Sequence, residues 1–442
     1  MNETLSSRHV ASGEVFKDGE TVCFLGDSIT HVGLYHRFIY DYYLTRFPDR
    51  YIRFVNAGIA GDSAWGAQGR LAEDVTDKKP TSVAIMFGMN DVNRSCYVAV
   101  PDAQQKAEQQ AALDNYRKNM ETLIGRLRHE ASDPKLLFLT PSLFDQTVIN
   151  DANNNQPGCN EGLGRCAEIG RALAAIHRGM VVDFNGPMTT FNLERQKFDR
   201  TYTIIGPDRV HPGTAGHLMM AWIFLKTQGA PALVSKVVFD AAAGTVTESA
   251  NATVSQVRTS HGAWEFTVLE NALPFPMDDN AKEELASLSI EQDLNLEILS
   301  IKGLATGRYD LLIDGILTGR YAADNLSKGI NLALNTATPQ YQQAKMVANM
   351  NETRHSTELI LRNYAAVRWF LKGCKVDPDD FSAVTVFTDT KMNKAGYFEG
   401  MVPGYLADWP RRHELISRVT ELEKKLFALR QPVAHTYSIR PL

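Results

Sequence analysis

The sequence predicts an α/β fold in its first half: a parallel sheet covered by helices on both faces. Three observations carry this expectation. Short, continuous apolar runs at Thr21–Leu25, Ser82–Phe87 and Lys135–Leu139 suit strands buried on both sides. A long segment, Gln104–His129, places Leu113, Tyr116, Met120, Leu123, Ile124 and Leu127 on one helical stripe. Strand-like and helix-like segments then alternate as βαβ units do.

The elements follow in order. Thr21–Leu25 ends at Gly26, and Val32–Phe47 has helical spacing of aromatic and aliphatic residues. Tyr51–Val55 is a second strand, Ala67–Val75 a short helix and Ser82–Phe87 a third strand. After the long helix and the Lys135–Leu139 strand, Gly162–His177 is helical and Met180–Asp183 is a fifth strand. Gly213–Thr227 closes the series as a helix. Beyond about Gly229 the character changes. Val254–Val257, Trp264–Leu269, Leu294–Ile301 and Gly307–Ile313, with the Asp314-Gly315 turn, suggest a β meander. Tyr341–Phe370 and Arg411–Leu429 then have helical spacing, with a polar, Gly- and Pro-containing connection between them. The expected organisation is a first domain over 1–230, a β-rich accessory domain over 231–335 and a helical C-terminal region over 336–442. The two long helices would pack on the first domain or serve homo-oligomerisation.

With 442 residues there is length for two or three domains at roughly 100–200 residues each. A formal charge of −5 with scattered Lys and Arg leaves no basic footprint for nucleic acid. No run reaches the roughly 18 apolar residues that a membrane span needs. Met1–Phe16 is polar and lacks the apolar core of a signal peptide, which fits a cytoplasmic protein or an exported one whose signal has been removed. The five cysteines, Cys23, Cys96, Cys159, Cys166 and Cys374, cannot all pair within one chain. Cys23 suits a buried small hydrophobe; Cys159 and Cys166 are close enough to pair in an oxidising compartment or to remain free thiols.

Four short blocks carry chemistry. Gly26-Asp27-Ser28-Ile29 follows the first strand, where a serine at a strand-to-helix turn stands at the mouth of the sheet. Asn56-Ala57-Gly58-Ile59-Ala60-Gly61 follows the second, and a glycine there can offer its backbone N–H to a bound oxygen. Gly88-Met89-Asn90-Asp91 follows the third, and an Asn amide can donate to an oxyanion. Asp208-Arg209-Val210-His211 precedes the last helix of the first domain, with the carboxylate spaced to hold the imidazole. Alone, each block also fits a helix cap or a turn. Together they all fall at strand carboxyl ends or in the closing loop, the edge where such sheets gather their sites. His217, about one turn into the closing helix, suits a structural place. No His-rich motif completes a zinc set, so no metal is expected.

The four blocks in this order resemble the SGNH hydrolase superfamily, which includes the GDSL esterases. The resemblance covers roughly the first half of the chain; Ile29 stands where Leu is common, and Met89 where some members carry Gly. It implies a flavodoxin-like three-layer α/β/α domain. It gives Ser28 the role of nucleophile, Asp208 and His211 those of its acid/base relay, and Ser28, Gly61 and Asn90 those of the oxyanion hole, with no cofactor. The two-domain plan resembles bacterial SGNH proteins that act on decorated carbohydrates. The implied substrate is a small ester or acylated saccharide, with acetyl as the group removed. Asp27, Trp65 and Tyr97, and also Tyr35, are candidate substrate contacts, the three aromatics by stacking on sugar rings; the same aromatics fit core positions as well. The alternatives are a longer-chain acyl esterase, lipase or thioesterase, and a vestigial carbohydrate-binding module.

Overall fold

The structure is a computed structural model that describes residues 14–260, 262–391 and 396–442. Most of the polar segment expected at 1–16 therefore lies outside the described residues. Internal packing divides the chain into two compact units. One comprises the chain up to His36, Tyr51–Gly229 and His355–Val419; the other comprises Arg37–Arg50, Ala230–Arg354 and Thr420–Leu442.

In chain order the first part runs β1 Thr21–Gly26, α1 Ser28–Val32, α2 Leu34–Arg46, β2 Arg53–Gly58, α3 Leu71–Asp74, β3 Ser82–Met86, α4 Ala103–Glu130, β4 Lys135–Leu139, α5 Cys159–His177, β5 Met180–Val182, α6 Asn185–Gln196 and α7 Thr214–Thr227. The five strands form one parallel sheet in the order β2-β1-β3-β4-β5, flanked by helices. This is the α/β fold expected. The helix expected over 32–47 is interrupted: α1 ends on Gly33 in the left-handed conformation, and α2 starts afresh at Leu34. The short helix expected over 67–75 begins as a 3₁₀ turn at Gly66–Arg70. α6 carried no clear periodicity in the sequence.

Register explains why separate blocks meet. β1 lies between β2 and β3, with Gly26 level with both Gly58 and Met86. The chain leaving each strand therefore emerges side by side at one edge. Gly58 allows the closest approach, because a Cβ there would fall 2.2 Å from the His31 backbone nitrogen. Only a residue without a side chain lets α1 pack down on the end of β2. Beneath this edge the core includes Leu25, Ile85, Phe87, Leu123, Phe138 and Leu163.

The second part runs β6 Leu233–Asp240, β7 Thr245–Ala250, β8 Ala252–Ser260, β9 Ala263–Glu270, α8 Asp279–Glu284, α9 Ile290–Leu294, β10 Leu296–Lys302, β11 Arg308–Ile313, β12 Ile316–Ala322, α10 Ala323–Lys328 and β13 Ile330–Asn331. It continues with α11 Pro339–Gly373, α12 Phe381–Lys391, α13 Val402–Asp408, α14 Arg412–Leu429 and β14 His435–Pro441. The β-rich region is not one meander. β10 pairs in parallel with β6, in a sheet ordered β13-β10-β6-β7, whereas β11 and β12 form a hairpin in a second sheet ordered β12-β11-β14-β9-β8. The connection between the two long helices contains α12 and α13. Val384, Val402 and Tyr405 from it pack with Tyr364, Val367 and Leu371 of α11 in a small core of their own.

Candidate active site

Ser28 opens α1 directly after β1. Asp27 caps the helix with its side chain, accepting from the Ile29 N–H at 3.0 Å. Burial pushes the Asp27 carboxyl up to about 7. Asp27 is thus an interior cap that turns the chain so that Ser28 emerges half-buried.

The Ser28 Oγ lies 2.7 Å from His211 Nε2. The other ring nitrogen, Nδ1, bonds to Asp208 Oδ2, while Asp208 Oδ1 accepts the backbone N–H groups of Val210 and His211, both at 3.0 Å. Burial alone would raise the Asp208 carboxyl, but the hydrogen bonds from the His211 ring and from these two N–H groups hold it below its ordinary range. A ring held between a carboxylate and a hydroxyl can take the hydroxyl proton as the oxygen attacks. Arg209, between the two, adopts a left-handed backbone (φ 66°) and is buried. Its guanidinium donates to the Asp145 and Val148 carbonyls at 3.0 and 2.9 Å and to Asn150 Oδ1 at 2.6 Å. Sequence reasoning passed over Arg209, which clamps the turn bearing Asp208 and His211.

Gly61 sits on the loop leaving β2 with φ 75°, a conformation natural to glycine. It is exposed, a Cβ there would meet nothing within 4 Å, and its N–H has no hydrogen-bond partner among the described residues. Asn90 follows β3 and donates from Nδ2 to the Asp62 carbonyl at 2.8 Å, which ties the third block to the second. Asp91 adds a second tie, since its carboxylate oxygens accept from Ala64 N–H at 2.9 Å and Gly88 N–H at 3.0 Å. Burial pushes the Asp91 carboxyl up to about 7.

A further layer, invisible in the motifs, holds the Gly61 loop. The Ala60 N–H donates to His31 Nδ1 at 3.1 Å, and His31 Nε2 lies 2.9 Å from Asn363 Oδ1 on α11. Both bonds form only if the proton is on Nε2. Burial, helped by the nearby Arg362 cation, lowers His31 to about 4, so the ring is neutral at physiological pH. Asn56 closes the layer by donating to the His31 carbonyl at 2.8 Å and accepting the Gly58 N–H at 2.9 Å. A buried ion cluster lies alongside. Arg70 pairs with Asp62 and Asp74, and Arg362 with Asp74.

The candidate substrate contacts divide. Trp65 is 71 % exposed. Tyr97 is only 6 % exposed and belongs to the core, its ring seated where Gly162 has no side chain. Tyr35 is buried with its hydroxyl 3.1 Å from Thr30 Oγ1, and His217 is buried and stacked against it. Of these candidates Tyr35, Tyr97 and the capping Asp27 are buried, and Trp65 is open to solvent. Cys159 and Cys166 are free and buried rather than paired. Among the described residues no cluster of three or more His, Cys, Asp or Glu is placed to hold a metal ion, and no helix is long and apolar enough to cross a membrane.

Residues 24–219 match the model of the GDSL-like lipase/acylhydrolase family. A solved structure, that of a gut microbial diltiazem-metabolizing enzyme, superposes with a TM-score of 0.91 at 31% identity, over 98% of this chain and 100% of the other. The chain belongs to the SGNH hydrolase superfamily. Among the relatives of this SGNH ester hydrolase is the acetylxylan esterase of Geobacillus stearothermophilus, 27% identical over 227 residues that make up 48% of this chain and 94% of the relative. That shared stretch is about as long as the α/β half. The diltiazem-metabolizing enzyme matches the β-rich and helical parts of the SGNH chain as well.

Proposed function

We propose that this esterase removes short acyl groups, acetyl first, from saccharides by a Ser-His-Asp mechanism. The observation that carries the reading is the 2.7 Å approach of Ser28 Oγ to His211 Nε2, with Asp208 on the opposite ring nitrogen. Ser28 Oγ attacks the ester carbonyl as its proton passes to His211 Nε2. Asp208, held ionised, orients the ring and stabilises its cation. The carbonyl oxygen, now an oxyanion, faces the N–H groups of Ser28 and Gly61 and the Asn90 amide; losing one such donor typically costs about 3–4 kcal/mol of barrier stabilisation. When the C–O bond breaks, His211 returns the proton to the departing alcohol oxygen. Water, deprotonated in turn by His211, cleaves the acyl-serine and releases the carboxylic acid.

Saccharide acetate is supported by the acetylxylan esterase relative and by Trp65, an exposed indole on the loop that carries Gly61. The whole-length relative named for diltiazem metabolism favours a second reading, an ester of a bulky non-sugar alcohol. One experiment weighs both: release of acid from acetylated oligosaccharides, from acetates of polycyclic alcohols, and from 4-nitrophenyl esters of increasing chain length, with Ser28→Ala as control. The proposal expects acetate from the oligosaccharides and a peak at the shortest acyl chain. A peak at long chains, or equal rates with Ser28→Ala, contradicts it.

A further inference from the structure

Beside the Gly61 loop the first unit contains a cavity of about 620 Å³ that none of Ser28, Asp208 or His211 lines. Its aromatic walls are Trp65, Trp369 and Phe370; Gln68, the Lys372–Glu73 ion pair (2.7 Å) and the Arg70–Asp74 pair bring polar and charged groups to it. Sites for small molecules have this size and character: apolar and aromatic walls with a few polar groups.

Covalent and hydrogen-bonded links join this cavity to the candidate active site. Trp65 ends the stretch of loop that begins at Gly61. Trp369, from α11, lies against the backbone of the next residue; a Cβ on Gly66 would sit 3.4 Å from its Cζ2. Arg70, also lining the cavity, donates to Asp62 Oδ2 at 2.8 Å, beside Gly61 in the chain. It also donates to the Ala57 and Gly26 carbonyls at 2.7 and 3.3 Å, at the ends of β2 and β1. The cavity wall is therefore fastened to the strand ends that present Gly61 and Ser28.

We propose that this cavity is a subsite for a pyranose ring of the substrate's alcohol portion. The inference rests on the saccharide-esterase reading and deepens it. A sugar ring has a C–H face that an indole can cover and a rim of hydroxyls that Gln68 and Lys372 can meet. Most large aromatic side chains of the unit are buried; Trp65, exposed and lining the cavity, has the placement of a binding platform.

Cys374 supplies the test. It lines the cavity and is exposed, whereas the other four cysteines are buried. In native Ser28→Ala protein, which turns nothing over, dithionitrobenzoate should react first at Cys374. Xylotetraose is expected to slow that reaction severalfold, while sorbitol, a polyol without a ring, at the same concentration leaves it unchanged. Equal effects of the two, or protection by 4-nitrophenol and not by xylotetraose, overturn the assignment. In the active enzyme, Trp369→Ala is expected to lower the kcat/KM ratio of acetylated xylotetraose over 4-nitrophenyl acetate about tenfold, mainly through KM. Trp369 also packs on Phe398, with ring centroids 5.9 Å apart, so Gly69→Leu is the second variant. Gly69 lines the cavity with open space where a Cβ would point, and the added side chain should lower the ratio as well. Unchanged ratios in both variants overturn the proposal. Because the labelling needs no turnover, protection without any ester cleavage would sink the esterase reading and leave the ring subsite standing.

Discussion

Arg362 forks onto the Asp74 carboxylate, its Nη1 and Nη2 at 2.9 and 2.8 Å from the two oxygens, although 288 residues separate them in the chain. Burial alone would raise the Asp74 carboxyl; the Arg362 and Arg70 guanidiniums override it and hold it far below the usual carboxylate range. The α11 helix, encoded after β6–β13, thereby contributes to the unit that carries Ser28. Arg362→Met should leave a buried carboxylate short of a partner and destabilise the protein by about 3–5 kcal/mol. Urea unfolding followed by tryptophan fluorescence reads this directly; a variant as stable as wild type contradicts it.

The chain of contacts from Ala60 through His31 to Asn363 makes a kinetic prediction. Asn363→Ala frees the His31 ring and, under the proposed mechanism, lets the Gly61 N–H drift from the oxyanion. Misplacement of this kind costs up to about a hundredfold, and here roughly tenfold or more is expected in kcat with KM little changed. A purely structural role for Asn363 would lower Tm and leave kcat intact below the transition. Steady-state kinetics with a small acetate ester separates the two outcomes.

Much of the candidate site was legible in the sequence, and the reasons are local. After one polar residue each (Thr21, Ser82, Lys135), β1, β3 and β4 are unbroken apolar strings, so buried parallel strands follow from composition. The Asp208–His211 contact spans three residues and needs only a turn. What could not be read is non-local. Nothing near Asn363 marks it as a partner of His31. Tyr97 looks like a surface aromatic until Gly162, on a different element, proves to be the gap that receives it. β14 follows a helix in the sequence yet lies between β11 and β9, a pairing no neighbouring residue announces.

The second unit carries its own pH dependence. Glu270 and Glu297 are both buried; Ser235 Oγ donates to Glu270 at 2.5 Å, and neither oxygen of Glu297 has a hydrogen-bond partner among the described residues. Burial, reinforced at Glu297 by the charge of Glu270, raises both carboxyls above the ordinary 4.5. A group raised in the folded state stays protonated there after the unfolded chain has ionised. Its stabilisation is full below pH 4.5 and is lost as pH climbs through the raised folded value. Thermal melts should therefore show Tm falling from about pH 5 to pH 8. Glu297→Gln should flatten that slope and raise Tm at pH 8 by about 2–4 °C for each kcal/mol regained. A wild-type Tm that rises across this range refutes the prediction.

Arg209 gives the Asp208–His211 turn a kinetic signature. Arg209→Ala removes the clamp on the Asp145, Val148 and Asn150 oxygens, so the His211 ring loses its fixed distance from Ser28. A fall in kcat of about a hundredfold is expected, with Ser28 less reactive toward serine reagents in proportion. Retained reactivity would show that the Asp208–His211 turn holds itself.

The central claim is that Ser28, activated by His211, is the nucleophile. The most direct measurement is intact-protein and peptide mass spectrometry after treatment with a fluorophosphonate. A single adduct on the peptide containing Ser28, absent in Ser28→Ala and much slowed in His211→Ala, is the predicted result. An adduct on another residue, or no adduct in a preparation that still cleaves 4-nitrophenyl acetate, would contradict it.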